Sequence, residues 1–236
     1  MELNIIKKKL TIGLCIFSKN EEKTIGKIID NASKLLDKKD IFLIDGHSDD
    51  NTVKISLEKK INLLLDQGKG KGDGIQQAIK KIERDILIFM DSDGSHQCSE
   101  IPLLISPFLS DDNIAMVIGS RFKGGSEELS NSLTEIIRLA GNKLSVFLIN
   151  KIWKVKLSDV QNGFRAIKRT VFKNMALKEN GFAIEQEMVM KCLKAKKKIV
   201  EIPSWELKRK YNQSHIRIFR TLPQYLSSFI KIFLYD

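Results

Sequence analysis

The 236-residue chain has few cysteines and no long hydrophobic segment. Its three cysteines, Cys15, Cys98 and Cys192, are widely separated and show no paired spacing. This argues against a zinc site or a disulfide framework and indicates a reducing compartment. No apolar run approaches the ~20 residues that span a bilayer, and the first residues lack the apolar core of a signal peptide. We therefore expect a protein that is soluble or peripheral to a membrane.

Two common nucleotide-binding signatures are also missing. The first predicted strand–helix turn has no G-x-G-x-x-G, so a dinucleotide cofactor is not expected. The segment Gly68–Gly74 lacks the spaced glycines and the Gly-Lys-Ser/Thr of a P-loop. It is either a flexible glycine loop or a place where the backbone approaches a nucleotide, with Lys71 near a phosphate.

Acidic residues are outnumbered: 40 Lys and Arg face 29 Asp and Glu, a formal net charge of +11. Such a charge suits nucleic acid, an anionic membrane surface or phosphorylated ligands. A basic nucleic-acid-binding module would bind any duplex with a steep salt dependence. The lysines are dispersed and no base-reading helix is evident, so we do not expect nucleic acid as a partner.

Short apolar runs alternate with amphipathic segments along the chain. The runs predict strands over 11–17, 41–44, 61–65, 85–90, 114–118 and 199–202. Helical spacing predicts one helix after Asn20 and others over 53–60, 75–82, 101–109, 133–153 and 182–195. This alternation predicts an α/β fold with a mostly parallel central sheet and helices on both faces. Because we find no repeat or low-complexity linker, we expect one domain over residues 1–236.

Four polar segments follow predicted strands, over 17–21, 45–52, 68–74 and 91–96. In a parallel sheet all four open on one edge, where ligands bind. The last contains Asp91 and Asp93, and two carboxylates this close repel each other unless a positive charge lies between them. Oxygen ligands beside a phosphate-bearing substrate suit Mg2+ or Mn2+. The alternative is an acidic turn that caps the next helix.

A longer series of motifs extends over roughly residues 10–216. Its segments lie at 17–22, 45–52, 69–72, 88–96, 118–122, 158–165, 181–188, 202–203 and 209–215. In this order they resemble the family 2 glycosyltransferases of the GT-A fold, and within that family the polyprenyl-phosphate (dolichyl-phosphate) hexosyltransferases. The family's D-A-D-x-x-H block, for example, is matched by Asp91-Ser-Asp-Gly-Ser-His96. Four departures are Phe17 for a proline, Lys19 for a tyrosine, Gly46 for the second of two aspartates, and His215 for a lysine.

The resemblance implies a role for each matched position. The residues expected to bind the nucleotide sugar are Phe17, Asn20, Glu21, Asp45, Ser48, Asp49, Lys71, Asp91 and Arg121. The expected ligands of Mg2+ or Mn2+ are Asp91, Asp93 and Ser95. The expected catalytic residues are Asp93, Asp159, Arg165 and Glu187, with Glu187 preferred to Glu185 only by resemblance. The expected acceptor and phosphate ligands are Arg138, Gln161, Asn162, Arg209, Lys210 and Ser214, and Arg121 and Arg165 are further candidates for phosphate binding.

The implied activity is a metal-dependent, inverting transfer of hexose from a UDP- or GDP-sugar to a dolichyl or undecaprenyl phosphate, as in cell-envelope biogenesis. Residues of about 10–120 would bind the donor and those of about 121–216 the acceptor. A lipid phosphate needs little or no general base, whereas a hydroxyl acceptor on a polysaccharide or glycolipid requires one. That second acceptor class stays open. A nucleotidyltransferase is less compatible, because the first strand–helix loop lacks a basic glycine-rich signature.

The last segment, over 217–236, predicts an amphipathic helix. Thr221-Leu-Pro-Gln224 has the form of a capping box. Apolar residues recur at helical spacing at Leu222, Tyr225, Leu226, Phe229, Ile230, Phe233 and Leu234. This stripe would either lie in the interface of an anionic membrane or pack on the domain or a second subunit. The first alternative predicts a cytoplasmic protein at the inner face of the membrane; the oligomeric state stays open.

Overall fold

The computed structural model describes residues 10–127, 133–209, 211 and 218–235. Within these ranges the strands are β1 (Ile12–Ser18), β2 (Ile41–Asp45), β3 (Asn62–Leu65), β4 (Ile86–Asp91), β5 (Ile114–Ser120), β6 (Gly125–Ser126), β7 (Arg165–Lys168) and β8 (Lys198–Glu206). The helices are α1 (Glu22–Ala32), α2 (Thr52–Glu58), α3 (Lys71–Lys81), α4 (Ile101–Ser110), α5 (Arg121–Gly124), α6 (Leu133–Trp153), α7 (Arg169–Phe172), α8 (Ile184–Lys194) and α9 (Ile218–Tyr235).

The strands form one sheet in the order β3-β2-β1-β4-β7-β5-β8-β6. Neighbouring strands are parallel except for β7, which pairs antiparallel with both β4 and β5. The mostly parallel α/β sheet predicted from the sequence is confirmed. All six predicted strands are present, and β6 and β7 are additions that the apolar pattern did not predict.

Alternate side chains of the buried strands point to opposite faces of the sheet, as strand geometry requires. On one face, Leu14 and Ile16 pack in a cluster with residues of α1 and α4. On the other, Cys15 and Phe17 pack in a cluster with residues of α3, α6, α8 and α9. Helices therefore cover both faces.

Helix α3 begins at Lys71, four residues earlier than the sequence pattern predicts. The amide of Gly72 donates a hydrogen bond of 2.8 Å to the carbonyl of Asn180. A Cβ at position 72 would collide with the Glu179 carbonyl oxygen. The glycines of this segment thus permit a close approach between the start of α3 and the 179–181 backbone, and they do not form a flexible loop.

Helix α9 begins at Ile218, so the segment 221–224 lies inside it and does not start it. Its predicted apolar stripe is divided. Phe229 is buried against the domain, whereas Leu226, Ile230, Phe233 and Leu234 are exposed. None of the described helices is both long enough and apolar enough to cross a membrane.

Candidate active site

A cavity of about 420 Å³ opens at the carboxyl ends of β1 and β4. Three of the four predicted polar segments, 17–21, 68–74 and 91–96, contribute lining residues. The fourth, 45–52, contributes only Gly46. The far side of the cavity is bordered by α6, α8 and α9, through residues such as Asn142, Glu185 and Tyr225.

Lys71, at the start of α3, joins two carboxylates across the cavity. Its Nζ lies 2.6 Å from Asp91 Oδ1 and 2.9 Å from Glu185 Oε1. Burial by itself raises the pKa of Asp91, but the positive charge around it, that of Lys71 foremost, together with the Lys71 hydrogen bond outweighs burial and lowers that pKa to about 2. A Cβ at Gly163 would lie 2.6 Å from Lys71 Nζ, so this position has no room for a larger residue. The cluster of Lys71, Asp91 and Glu185 therefore holds an ionised Asp91 at the carboxyl end of β4.

Asp93 lies two residues further along the same loop and is held from two directions. Its Oδ1 accepts hydrogen bonds from the amide and hydroxyl of Ser95, at 3.0 and 2.6 Å. Its Oδ2 lies 3.0 Å from Arg209 Nε. Gly94 has φ +82, a left-handed conformation that permits the tight turn between the two residues. The structure thus brings Asp91, Asp93, Ser95 and Arg209 to one site.

His96 connects this loop to the segment before β7. Its Nδ1 accepts a hydrogen bond from the Asp91 amide at 3.2 Å, so a neutral ring carries its proton on Nε2. In that tautomer Nε2–H donates a hydrogen bond to Asn162 Oδ1, at a distance of 3.2 Å. The ring stacks on Phe164 with centroids 5.0 Å apart. His96 and Asn162 therefore position the aspartate loop.

The predicted donor-side residues fall into two groups. Phe17, Glu21, Lys71, Asp91 and Arg121 line the cavity. Asp45 is fully buried outside it, and both its oxygens accept hydrogen bonds from Ser48. Asn20 and Asp49 connect the loops 17–21 and 45–52, since Asn20 Oδ1 accepts a hydrogen bond from the amide of Asp49. The side chain of Asp49 is exposed. Asp45, Ser48, Asn20 and Asp49 thus shape the donor-side loops without lining the cavity.

Asp66 is a cavity residue that the sequence analysis missed. It directly follows β3, and its Oδ1 accepts a hydrogen bond of 2.7 Å from the Gly68 amide. Burial raises its pKa, and the charges of Asp73 and Asp45 add to this effect. The rule that selected the other loops, a polar residue past a strand end, would have found it.

Arg121 and Asp159 form a buried pair. Arg121 Nε and Nη2 donate to the two oxygens of Asp159 at 2.7 and 3.0 Å, in the two-pronged geometry typical of Arg and carboxylates. Glu206 lies 3.4 Å from Nη1 on the other side. Arg121 lines the cavity, whereas Asp159 lies behind it and also accepts a hydrogen bond from Asn142. Asp159 therefore holds Arg121 and does not face a substrate.

Arg165 is placed differently from its predicted phosphate-facing role. It begins β7, is fully buried, and is not part of the cavity wall. Its guanidinium donates to the carbonyls of Asn162, Val160 and Glu185. Burial lowers its pKa. The guanidinium thus has the structural role that the sequence analysis did not recognise.

The two glutamates of α8 are placed differently from the expectation, which preferred Glu187 at the site. Glu187 turns away from the aspartates, where it accepts hydrogen bonds from the amides of Lys178 and Glu179 and pairs with Lys191 at 3.0 Å. Glu185 faces the cavity instead. Its Oε2 is buried and has no hydrogen-bond partner among the described residues.

Of the predicted acceptor residues, Gln161, Asn162 and Arg209 line the cavity. Lys210 and Ser214 lie outside the described residues, and so does the side chain of Arg138.

The donor set fits a hard divalent cation. Asp91 and Asp93 present carboxylate oxygens at the cavity, and Ser95 supplies a hydroxyl beside them. The described residues contain no cluster of three or more His, Cys, Asp and Glu that would hold a metal unaided. Mg2+ is commonly bound by one or two carboxylates together with substrate phosphates and water, which matches this arrangement.

The mostly parallel sheet and the cavity at its carboxyl edge form an α/β fold with its candidate site at the strand ends, where open sheets of this class bind ligands. In agreement, a crystal structure of glucosyl-3-phosphoglycerate synthase from Mycobacterium tuberculosis with Mn2+, UDP and glucosyl-3-phosphoglycerate matches with a TM-score of 0.76. The match covers 96% of this chain and 81% of that chain at 18% identity, which establishes the fold as GT-A.

The family description "Glycosyl transferase family 2" matches residues 14–176. The chain therefore belongs to glycosyl transferase family 2, which confirms the resemblance drawn from its motifs. Glycosyltransferase AglJ of Haloferax volcanii is 27% identical over 81% of this chain, which spans 62% of AglJ. UDP-N-acetylglucosamine–dolichyl-phosphate N-acetylglucosaminyltransferase of Methanococcus voltae is also 27% identical, over 86% of this chain and 88% of its own length.

Proposed function

We propose that this protein transfers a hexose from a nucleoside diphosphate sugar to a polyprenyl phosphate, with inversion and with a divalent cation. The observation that carries the proposal is the composition of the cavity. At the sheet edge it is lined by Asp91, Asp93 and Lys71, and at the opposite side by apolar residues of α6 and its neighbours. One end suits a diphosphate with its cation, and the other suits a lipid.

The donor diphosphate would lie at the carboxyl ends of β1 and β4. Asp93, with Asp91 beside it, would hold the cation, which when bound neutralises charge on the departing diphosphate. Ser95 fixes the orientation of Asp93 through its two hydrogen bonds. Phe17, Glu21 and Asp66 line the donor side, where the base and ribose would lie. The solved Mycobacterium tuberculosis neighbour is a complex with UDP, which supports uridine as the first base to test.

Glu185 would recognise the transferred sugar. Its Oε1 is held by Lys71, while its Oε2 is a buried acceptor without a partner among the described residues. An unmet acceptor in a cavity is costly unless a ligand supplies a donor. A hexose hydroxyl has the required O–H. We therefore assign the donor sugar to the part of the cavity beside the Lys71–Glu185 pair.

The acceptor phosphate would enter from the α6 and α9 side. The guanidinium of Arg121 lines the cavity there and can face phosphate oxygens. In the reaction a phosphate oxygen forms a bond to the anomeric carbon, the bond from that carbon to the diphosphate breaks, and the diphosphate leaves with the electron pair. One such displacement inverts the anomeric centre. Because the acceptor is already anionic, no residue is required to remove a proton.

Two observations favour a lipid over a hydroxyl acceptor. Ile137, Leu139, Phe182 and Tyr225 make the acceptor side of the cavity largely apolar. The Methanococcus voltae relative is named for a dolichyl phosphate acceptor. A transferase for surface polysaccharide or glycolipid would instead need a carboxylate free to take a proton.

The test is thermal unfolding of the full chain with UDP- and GDP-sugars, with and without Mn2+, followed by transfer assays. Specific binding raises the melting temperature by mass action. We expect one nucleotide series to stabilise the protein only with the cation, and the sugar to appear on polyprenyl phosphate. Transfer to a sugar hydroxyl with none to polyprenyl phosphate would overturn the acceptor assignment. No stabilisation by any nucleotide sugar would overturn the donor assignment.

A further inference from the structure

Helix α6 has an unusual distribution of side chains. Its buried positions include the polar Asn142 and Ser145, whereas Leu144 and Phe147 are exposed to 55% and 60%. Asn142 is buried because it binds Asp159 and so supports the active site. A helix whose apolar residues point outward as well as inward is typical of one that is covered on both sides.

Helix α9 has an exposed apolar stripe of its own. Its inner side contributes Phe229 and Ile232 to the core, and its outer side exposes Leu226, Ile230, Phe233 and Leu234 to between 47% and 59%. Helices α6 and α9 pack against each other. Large apolar residues concentrated on two adjacent helices form a patch of the kind that marks an interaction surface.

The charge around this patch is of one sign. Lys143 and Lys151 on α6 and Lys231 on α9 are exposed. From position 137 to the end of α6, and throughout α9, the sequence contains no Asp or Glu. Lys151 also lies over the Phe147 ring, 6.0 Å from its centroid. An apolar surface on two helices whose charged residues, from position 137 of α6 and throughout α9, are all basic matches an anionic lipid interface. A second copy of this chain, with a net charge of +11, would bring like charge.

The two helices that carry the patch also line the active-site cavity. Ile137 and Leu139 of α6 and Tyr225 of α9 belong to its wall. A lipid whose phosphate enters the cavity from this side would pass its chain along these helices. The position of the patch therefore agrees with the path that the acceptor requires.

We propose that the exposed apolar residues of α6 and α9, which we call the α6–α9 surface, dock the protein on an anionic bilayer beside the entrance of the active site. This inference rests on the proposed lipid acceptor. It differs from the expectation drawn from the sequence, because α6 contributes as well as α9 and only the outer half of the α9 stripe faces the lipid.

The test is co-sedimentation of the full chain with phosphatidylcholine vesicles, with and without phosphatidylglycerol. One double variant, Leu144→Glu with Phe147→Glu, changes α6, and another, Leu226→Glu with Ile230→Glu, changes α9. The matched control is Leu103→Glu with Leu109→Glu on α4, which packs on the other face of the sheet and has similar exposure. We expect wild type and control to bind anionic vesicles, and each test variant to bind roughly tenfold more weakly or worse.

Thermal unfolding of each variant establishes that it remains folded. Two results would overturn the docking surface: wild type that ignores anionic vesicles, or a control that loses as much binding as the test variants. Sedimentation velocity without lipid tests whether the α6–α9 surface instead joins two copies of the chain. If the wild type is a dimer that the test variants dissociate while vesicle binding is unchanged, the surface joins two copies and the proposal is wrong.

Failure of the proposed function has a different readout. Transfer to a short-chain polyprenyl phosphate in detergent needs the active site but no bilayer. We expect the docking variants to retain this transfer. Wild type that binds vesicles but transfers to no lipid phosphate would contradict the acceptor assignment and leave the docking surface intact.

Discussion

The ammonium group of Lys71 lies 2.6 Å from Asp91 Oδ1. Its second contact, 2.9 Å from Glu185 Oε1, makes it the common counter-charge of two carboxylates that come from different parts of the chain. Asp91 ends β4, Glu185 lies in the first turn of α8, and Lys71 is the first residue of α3. The geometry of the candidate site therefore depends on β4, α3 and α8 meeting at the ammonium group of Lys71.

Lys71→Met should destabilise the protein. Removing one partner of a buried ionic cluster leaves Asp91 and Glu185 facing each other, and such a loss typically costs about 3–5 kcal/mol. Urea unfolding at neutral pH measures the change in free energy. Lys69→Met is the control, because Lys69 is exposed and bonds only with Gln67 in the described contacts. An unchanged midpoint for Lys71→Met would mean that the cluster contributes no stability.

Acid should weaken the same cluster. The pKa of Asp91 is about 2 in the folded protein against an ordinary 3.8, with burial opposed and outweighed by the positive charge around it, that of Lys71 foremost, together with the Lys71 hydrogen bond. A carboxyl with a lowered pKa stabilises the fold above its ordinary pKa, and this stability is lost as the pH falls through the folded value. From this shift we expect about 2 kcal/mol to disappear between pH 3.8 and about pH 2. The free energy of unfolding of wild type and of Asp91→Asn, measured across that pH range, gives this loss. If both proteins lose the same stability as the pH falls, the lowered pKa does not belong to Asp91.

Arg165→Met should unfold the protein more readily without altering its affinity for the donor. The substitution leaves the carbonyls of Val160, Asn162 and Glu185 without their shared donor inside the core. We expect a loss of about 3 kcal/mol or more. Arg169→Met, which removes a more exposed guanidinium with two carbonyl contacts, should cost less. A stable Arg165→Met protein with reduced donor affinity would restore the phosphate-binding role that the sequence suggested.

Glu185→Gln and Glu187→Gln form a matched pair on one helix. Loss of a hydrogen bond to a charged group costs about 1.5–3 kcal/mol, so Glu185→Gln should slow sugar transfer by roughly 10- to 100-fold while UDP alone still binds. Glu187→Gln should lower stability through its contacts with the 178–179 amides and leave turnover nearly unchanged. Transfer kinetics measure the turnover of both variants, and urea unfolding measures their stability. The reverse pattern would return the catalytic role to Glu187.

Asp93→Asn should abolish the cation-dependent part of donor affinity. The amide keeps the size of the side chain and can still accept from Ser95, but it removes the negative charge that the cation requires. Calorimetric titration with UDP, with and without Mn2+, gives the two affinities. Asp49→Asn serves as the control because its side chain is exposed outside the cavity wall. If Mn2+ strengthens UDP binding equally in Asp93→Asn and wild type, another group holds the cation.

Local sequence determined the alternation of strands and helices, because apolar periodicity depends only on near neighbours. It also placed Asp91 and Asp93 correctly at a strand end, since polar residues that follow parallel strands must meet at one edge. Tertiary structure decided what each side chain faces. Arg165 and Asp159 lie in a segment that is polar in sequence, yet the antiparallel insertion of β7 between β4 and β5 buries both. Glu185 and Glu187 are equivalent in sequence, and only the packing of α8 against α3 and the 178–181 backbone sends one to the cavity and the other away from it. The ion pair between Lys71 and Glu185 joins residues about a hundred positions apart, and no local pattern encodes it.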